Sequence, residues 1–270
     1  MKSTNSAGYN TFLIKQKNEK RMIHLAQIGF LLLFLMSWEL LANIGFIDTF
    51  FFSKPSEVWA LLWSYTQSGD IFIHLMTSVC ETILGLVIGT LLGLLIAIAL
   101  WLCPFIAKMC DPFLVTLNAL PKTALAPILI VWIGAGIEGI VVVAIMTSIV
   151  ITIMSAYNYF LQVDPDQLRL LKSFEASKFQ ILSKLILPSN YGNLINIIKI
   201  NIGMSWVGVI VGEFIVSRAG IGYLIVYGGQ VFQLDLDMMG IFVLSICSYL
   251  MYAVVNAFEN HDKTHKKKTH

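Results

Sequence analysis

"KSFEASKFQILSKLILP", residues 172–188, mixes charge with apolar residues between hydrophobic runs that are each long enough to cross a bilayer. Its apolar positions Phe179, Leu182, Leu185 and Ile186 recur at helical spacing, with Lys178, Gln180 and Lys184 elsewhere on the surface. Ser177 followed three residues later by Gln180 has the pattern of a capping box, so a short helix is expected from Lys178 to Leu187, stopping at Pro188. Upstream, Asp164, with Pro165 in the first helical position and Gln167 three residues on, is a variant of the same device and starts a helix running to about Phe174. Two short helices joined by a tight turn and set between two spans make a knob suited to docking another protein.

Composition identifies the solvent. The residues are 57% hydrophobic and 13% charged, with a mean hydropathy of +0.77, and a soluble chain of this make-up would expose large apolar patches. The runs are long and aliphatic, whereas a membrane barrel shows alternating segments of about ten residues. An all-α membrane protein is therefore expected. Spans fall near 24–46, 76–102, 110–133, 138–160, 193–216 and 236–257, six in all. The first run follows Lys15, Lys17, Lys20 and Arg21 and is too long for the core of a signal peptide, so it reads as a span. Lys and Arg concentrate in the N-terminal tail (1–23), in the loop 161–192 between spans 4 and 5, and in the C-terminal tail (258–270), which predicts that all three are cytoplasmic and that the tails bound a six-span membrane domain at 24–257. The tail "KTHKKKTH" has the charge to attract anionic membrane lipid or a nucleic acid, but reads better as a solvated positive-inside tail. Residues 55–67 start at a proline, carry an apolar and aromatic face, and read as a short helix along the outer interface.

Within the spans, Gly85, Gly89 and Gly93 lie four apart and are followed by Ala97, leaving one ridge bare for a close neighbour that the spacing does not identify. Pro121 and Pro127 break the third span around Lys122, which should turn that segment toward protein or a cavity. Ionisable residues at membrane depth are costly and default to functional candidates: here Glu39, Glu81, Lys122 and Glu213. Lys122 and Glu213 are candidates for the translocation path together with the two prolines; alternatively they pair with each other or satisfy backbone groups. Cys80, Cys103, Cys110 and Cys247 lack metal-ligand spacing and read as small buried hydrophobes. The five histidines lie near span ends or in tails, and no cofactor or metal site is expected.

The segment "LLKSFEASKFQILSKLILP" resembles the cytoplasmic coupling loop of membrane subunits of ATP-binding-cassette importers. Around it, "SVCETILGLVIGTLLGLLIAI", "DPFLVTLNALPKTALAPILIVWIGAG", "VDPDQLRLLKSF" and "MSWVGVIVGEFIVSRAGIGYLI" are similar, in order from about residue 78 to 225, to the nitrate/sulfonate/taurine branch of those permeases. The resemblance implies a type I importer permease fold in the cell membrane, working as a homodimer with two ATPase subunits and an extracellular or periplasmic substrate-binding protein. It implies ATPase docking by Ser173, Glu175, Ala176, Ser177, Phe179, Gln180, Leu182, Leu185 and Pro188, with the apolar face of Phe179, Leu182 and Leu185 filling the ATPase groove. The family usually has glycine where this chain has Glu175, at a corner that favours positive φ, so either the corner is reshaped or the Ser177 cap carries the turn.

No GxxxxGK[ST] sequence occurs, so this subunit cannot cradle ATP and is expected to be non-catalytic. An aliphatic sulfonate, taurine, nitrate or similar small solute is the expected cargo, with bicarbonate or a pyrimidine vitamin precursor as alternatives inside the same class. From other classes, an ion-coupled secondary transporter would fit the broken span but leaves the knob unexplained, and a membrane-embedded enzyme lacks a nucleophile–base set.

Overall fold

The computed structural model describes residues 7–268, so Lys2 and His270 of the basic tails lie outside it. Among the described residues the chain is helical throughout. It begins with α1 (Ala7–Asn43), the short α2 (Thr49–Phe52) and α3 (Pro55–Ser68), the last opened by a proline as expected. Then come α4 (Asp70–Leu102), α5 (Pro104–Ala119), α6 (Lys122–Ile133) and α7 (Ile137–Leu161). The knob consists of α8 (Pro165–Ser173), α9 (Lys178–Ile181), a π-helical turn (Leu182–Ile186) and α10 (Leu187–Ser189). After it the chain runs through α11 (Tyr191–Val216), α12 (Ile221–Gln230) and α13 (Leu234–Lys268).

Five stretches, Ile14–Asn43, Asp70–Leu102, Ile137–Leu161, Tyr191–Val216 and Leu234–Asn260, are long and apolar enough to cross a membrane, and α5 with α6, bent by 98°, completes six if taken as one broken span. The bend lies at Leu120 and Pro121, both in extended backbone. Pro127, expected to break the span as well, sits inside α6 without ending it: the hydrogen bond it removes falls in the first turns of a short helix, where one lost bond is tolerated. The tails are helical further than hydropathy suggests, because a polar helix continuing out of a span has no apolar signal: α1 starts at Ala7 and α13 reaches Lys268. In the connection 217–235, α12 is a helix that the sequence reading did not resolve.

The core is built around α7, which lies between α4 and α11. A Cβ placed on Gly85 would stand 2.5 Å from the Ala144 Cβ, and one on Gly93 would stand 2.6 Å from the Thr152 Cβ, so the bare ridge of α4 lies directly on α7. A second pair does the same from α11: Gly208 faces the Ala144 backbone at 2.5 Å and Gly212 faces Ile140. Lipid tails are as apolar as leucine, so what holds these helices together is close packing, which only small residues permit. The helix α1 stands apart, packing on α3, with most of its span exposed to the surroundings. Of the cysteines only Cys247 is buried; Cys80 is exposed beside the packed face of α4, since an apolar span hides a thiol from water without burying it in protein.

Gly85→Val overpacks the α4–α7 contact and is expected to destabilise the chain by about 1–3 kcal/mol. Gly29→Ala, whose Cβ meets nothing within 4 Å, should be neutral or slightly stabilising. Thermal unfolding of the detergent-solubilised variants checks this, and equal behaviour of the two would contradict the close approach.

Candidate functional site

Two regions gather the chemistry. The first is the knob, at the end of the bundle that carries Lys172, Lys178 and Lys184, the basic end. In α8, Asp164 caps the first turn by accepting the Asp166 N–H at 2.9 Å, and Gln167 does not complete the expected box. At the other end of α8 the Ala176 N–H donates to the Leu171 carbonyl (3.1 Å) and the Glu175 N–H to the Lys172 carbonyl (3.0 Å), the bonding of a Schellman motif. That motif requires a left-handed residue, and Glu175 supplies it at φ 56°. The corner keeps the shape a glycine would give it. Immediately after, Ser177 and Gln180 form the full capping box: the Ser177 N–H donates to Gln180 Oε1 (2.7 Å) and the Gln180 N–H to Ser177 Oγ (3.3 Å).

The apolar residues of the knob divide into two sets. Ile181, Leu182, Leu185 and Ile186 are buried against Ala97, Ala156, Phe160 and Ile197 from the ends of α4, α7 and α11. Phe174 and Phe179 remain 72% and 69% exposed. The single apolar face of Phe179, Leu182 and Leu185 expected from the periodicity therefore does not form. Leu182 (7% exposed) and Leu185 (8%) anchor the knob inside the chain and are not free to meet a partner. Ser173, Glu175, Ser177, Gln180 and Pro188 are exposed and Ala176 is half-buried under the turn. Pro188 does not stop the helix: the wider π turn before it relieves the clash of its ring with the preceding carbonyls, and α10 continues to Ser189. Lys178 reaches across to donate to the Leu102 carbonyl at 3.0 Å, the last residue of α4.

The second region is a set of ionisable residues at membrane depth. Glu213, near the end of α11, accepts the Ser78 hydroxyl and, at 2.6 Å, the Gly222 N–H. Ser78 accepts the Ile221 N–H at 2.7 Å, and His74 Nδ1 accepts the Gly220 N–H at 3.0 Å. Side chains of α4 and α11 thus satisfy the first N–H groups of α12, which no intrahelical carbonyl can reach. Gly220, at φ 117°, leaves room for this: a Cβ there would collide with the Glu213 carboxylate. Glu81 is 2% exposed and its carboxyl lies at hydrogen-bonding range of the Glu213 carboxyl, with no hydroxyl, amide or cation among the described residues donating to it. Among the described residues no Lys or Arg forms an ion pair with Glu81 or Glu213.

Glu39 does for α3 what Glu213 does for α12, accepting the Ser56 N–H (3.0 Å) and hydroxyl (2.9 Å). Lys122, half-buried between the exposed Pro121 and Pro127, bends back over the break to donate to the Asn118 carbonyl (3.1 Å) and Oδ1 (3.3 Å) in the last turn of α5. Lys122 and Glu213 do not meet; each satisfies backbone groups. The sequence reading missed Lys199, which ion-pairs with Glu259 of α13 and donates to Asn256 Oδ1 at 2.8 Å. Its place inside an apolar span was the signal that could have found it.

A multi-pass helical bundle with one broken span and a protruding two-helix corner is the architecture of a membrane transport subunit. Residues 85–261 match the family described as binding-protein-dependent transport system inner membrane component, and the chain belongs to that family. An ABC transporter permease protein of Haemophilus influenzae is 27% identical over 81% of this chain and 88% of its own length. The aliphatic sulfonates transport permease protein SsuC of Bacillus subtilis is 25% identical over 82% and 80%. A chain of the MetNI methionine ABC transporter, solved in an inward-facing conformation, superposes with a TM-score of 0.59 at 15% identity, covering 74% of this chain and 96% of that one, and shares its fold. The protein is a multi-pass membrane permease subunit of an ATP-binding-cassette importer, a family whose members act with an ATPase and a substrate-binding protein.

Glu213→Ala should cost about 1–3 kcal/mol by leaving a buried N–H unpaired, whereas Glu213→Gln keeps an acceptor for it. Amide exchange across Ile221–Tyr223 should rise in the Ala variant and stay near the parent in the Gln variant. Identical exchange in both would remove Glu213 as the cap of α12.

Proposed function

We propose that the chain pairs with a second copy of itself, that each copy engages one ATPase subunit through the knob at residues 165–188, and that the dimer imports a small sulfonate, taurine or nitrate-like solute handed over by a binding protein. The observation that carries this reading is the divided knob. A two-helix corner that anchors Leu182 and Leu185 in the bundle yet holds Phe174 and Phe179 out in water is built to pass a partner's movement to the spans. The contacts assigned to the ATPase are then Ser173, Glu175, Ser177, Phe179 and Gln180, with Phe174 added. The second copy is supported by the broken span: the extended backbone at Leu120–Pro121 is tolerated at membrane depth only where it is covered by protein or lines a water-filled path, and a facing protomer provides both. On this reading Pro121, Lys122 and Pro127 border the path between copies, and the cation of Lys122 favours an anionic cargo.

A second cargo reading has its own support. Relatives of comparable similarity are named for taurine transport in Escherichia coli, riboflavin transport in Chloroflexus aurantiacus and formylaminopyrimidine transport in Halalkalibacterium halodurans. Reconstitution with the ATPase and binding protein in vesicles, followed by ATP-dependent uptake of labelled taurine, alkanesulfonate, nitrate and formylaminopyrimidine, decides between them. Uptake of the anions alone upholds the first reading, and uptake of the pyrimidine alone replaces it.

Phe179→Ala should weaken ATPase association and uptake while leaving the permease's thermal stability unchanged. Leu185→Ala should instead destabilise the permease itself, by about 2–5 kcal/mol as for a buried leucine. If both variants lost stability equally and kept ATPase binding, the knob would be an internal element only. A milder variant, Lys122→Gln, should raise the KM for an anionic cargo without altering ATPase assembly.

A further inference from the structure

Glu175 occupies the costliest backbone position of the knob and makes no use of its side chain within the chain. At φ 56° a residue with a Cβ is strained where glycine would not be. The turn does not need the carboxylate: backbone bonds to Leu171 and Lys172 close it, and Ser177 with Gln180 cap the helix that follows. Glu175 is exposed, and among the described residues its carboxylate forms no ion pair and accepts no hydrogen bond. Lys172 and Lys178 stand on either side of it in sequence, yet Lys178 is turned away to the Leu102 carbonyl. On the same tip Phe174 and Phe179 present two bare rings.

The geometry points to Glu175 as the contact that selects the ATPase partner, pairing with an arginine that the ATPase brings to the exposed tip of the knob. This rests on the docking reading given above. A carboxylate on a tip that also exposes two aromatic rings fits a guanidinium better than an ammonium, because the planar fork bonds both carboxylate oxygens and has faces that stack on a ring. The same charge disfavours an ATPase whose cleft is built for an uncharged corner, since it would be buried there unpaired. The strain at 175 is thus retained for specificity, where glycine would give an easier turn and an indifferent one.

The test measures the Kd of the purified full-length permease in nanodiscs for each ABC ATPase subunit of binding-protein-dependent systems from its own cell, at 50 and at 300 mM salt (about a twofold change in screening length). Wild type, Glu175→Gln and Glu175→Gly are compared. The Gln variant keeps the shape and the strain and removes the charge; the Gly variant removes both and safeguards against misfolding at the corner. The expected result is that both variants bind the cognate ATPase about 10- to 100-fold more weakly, as for a lost hydrogen-bonded charge, lose most of the salt dependence, and narrow the gap to the other ATPases. Cognate binding unchanged in the Gln variant, or tightened in the Gly variant, overturns the inference and leaves the docking reading intact. A wild-type chain that binds none of the ATPases overturns the docking reading itself.

Discussion

A helix that ends in hydrocarbon leaves backbone N–H groups at one terminus and carbonyls at the other with no water to satisfy them. Four charged side chains meet helix ends that lack partners in this way. Glu39 meets the N-terminus of α3, Glu213 meets that of α12, Lys122 meets the C-terminus of α5 and Lys178 that of α4. In each case the sign of the charge opposes the helix dipole, acid at the positive end and base at the negative. Short elements such as α3 and α12 can lie against the bundle because a neighbouring span supplies what their own first turns lack.

The same economy of polar groups explains the core. Helices in lipid gain little from hiding apolar surface, so α4 and α11 present glycines to α7 and gain contact area instead. Small polar side chains also tie the helices together: Thr147 donates to the Met204 carbonyl of α11 at 2.9 Å, and Asn201 donates to Thr90 and Thr152 at 2.8 and 2.7 Å, bridging all three helices. At the basic end, the Lys199–Glu259 pair fastens α13 to α11. Both partners are largely buried and Lys199 also donates to Asn256 Oδ1, so the pair serves to fix register more than to add stability.

What the sequence made legible was what local chemistry decides. Apolar run length places the spans, Pro121 places the bend, Ser177 with Gln180 places the cap, and the four-residue glycine spacing marks a packed ridge. What it hid depends on residues far apart in the chain. Glu213 and Ser78 are separated by 135 positions, and nothing in either stretch announces that they share the start of α12. The identity of the ridge's neighbour was hidden for the same reason. The knob shows a subtler limit: periodicity finds an apolar face on 178–187 but cannot tell which part of it returns to its own bundle and which is held out. The π turn adds to the difficulty, since the wider winding shifts every later side chain around the axis.

The join between knob and span has a mechanical consequence. Only Asn190 separates α10 from α11, and its side chain bonds back to the Ile186 carbonyl at 2.9 Å, so the two meet without a flexible hinge. From Tyr191 the helix α11 rises about 33 Å, at 1.5 Å per residue, to Glu213, the acid that grips α12 toward the opposite face. The protein thus contains a stiff lever with a grip at each end, and a small tilt imposed at one mouth of the bundle is delivered as a displacement at the other.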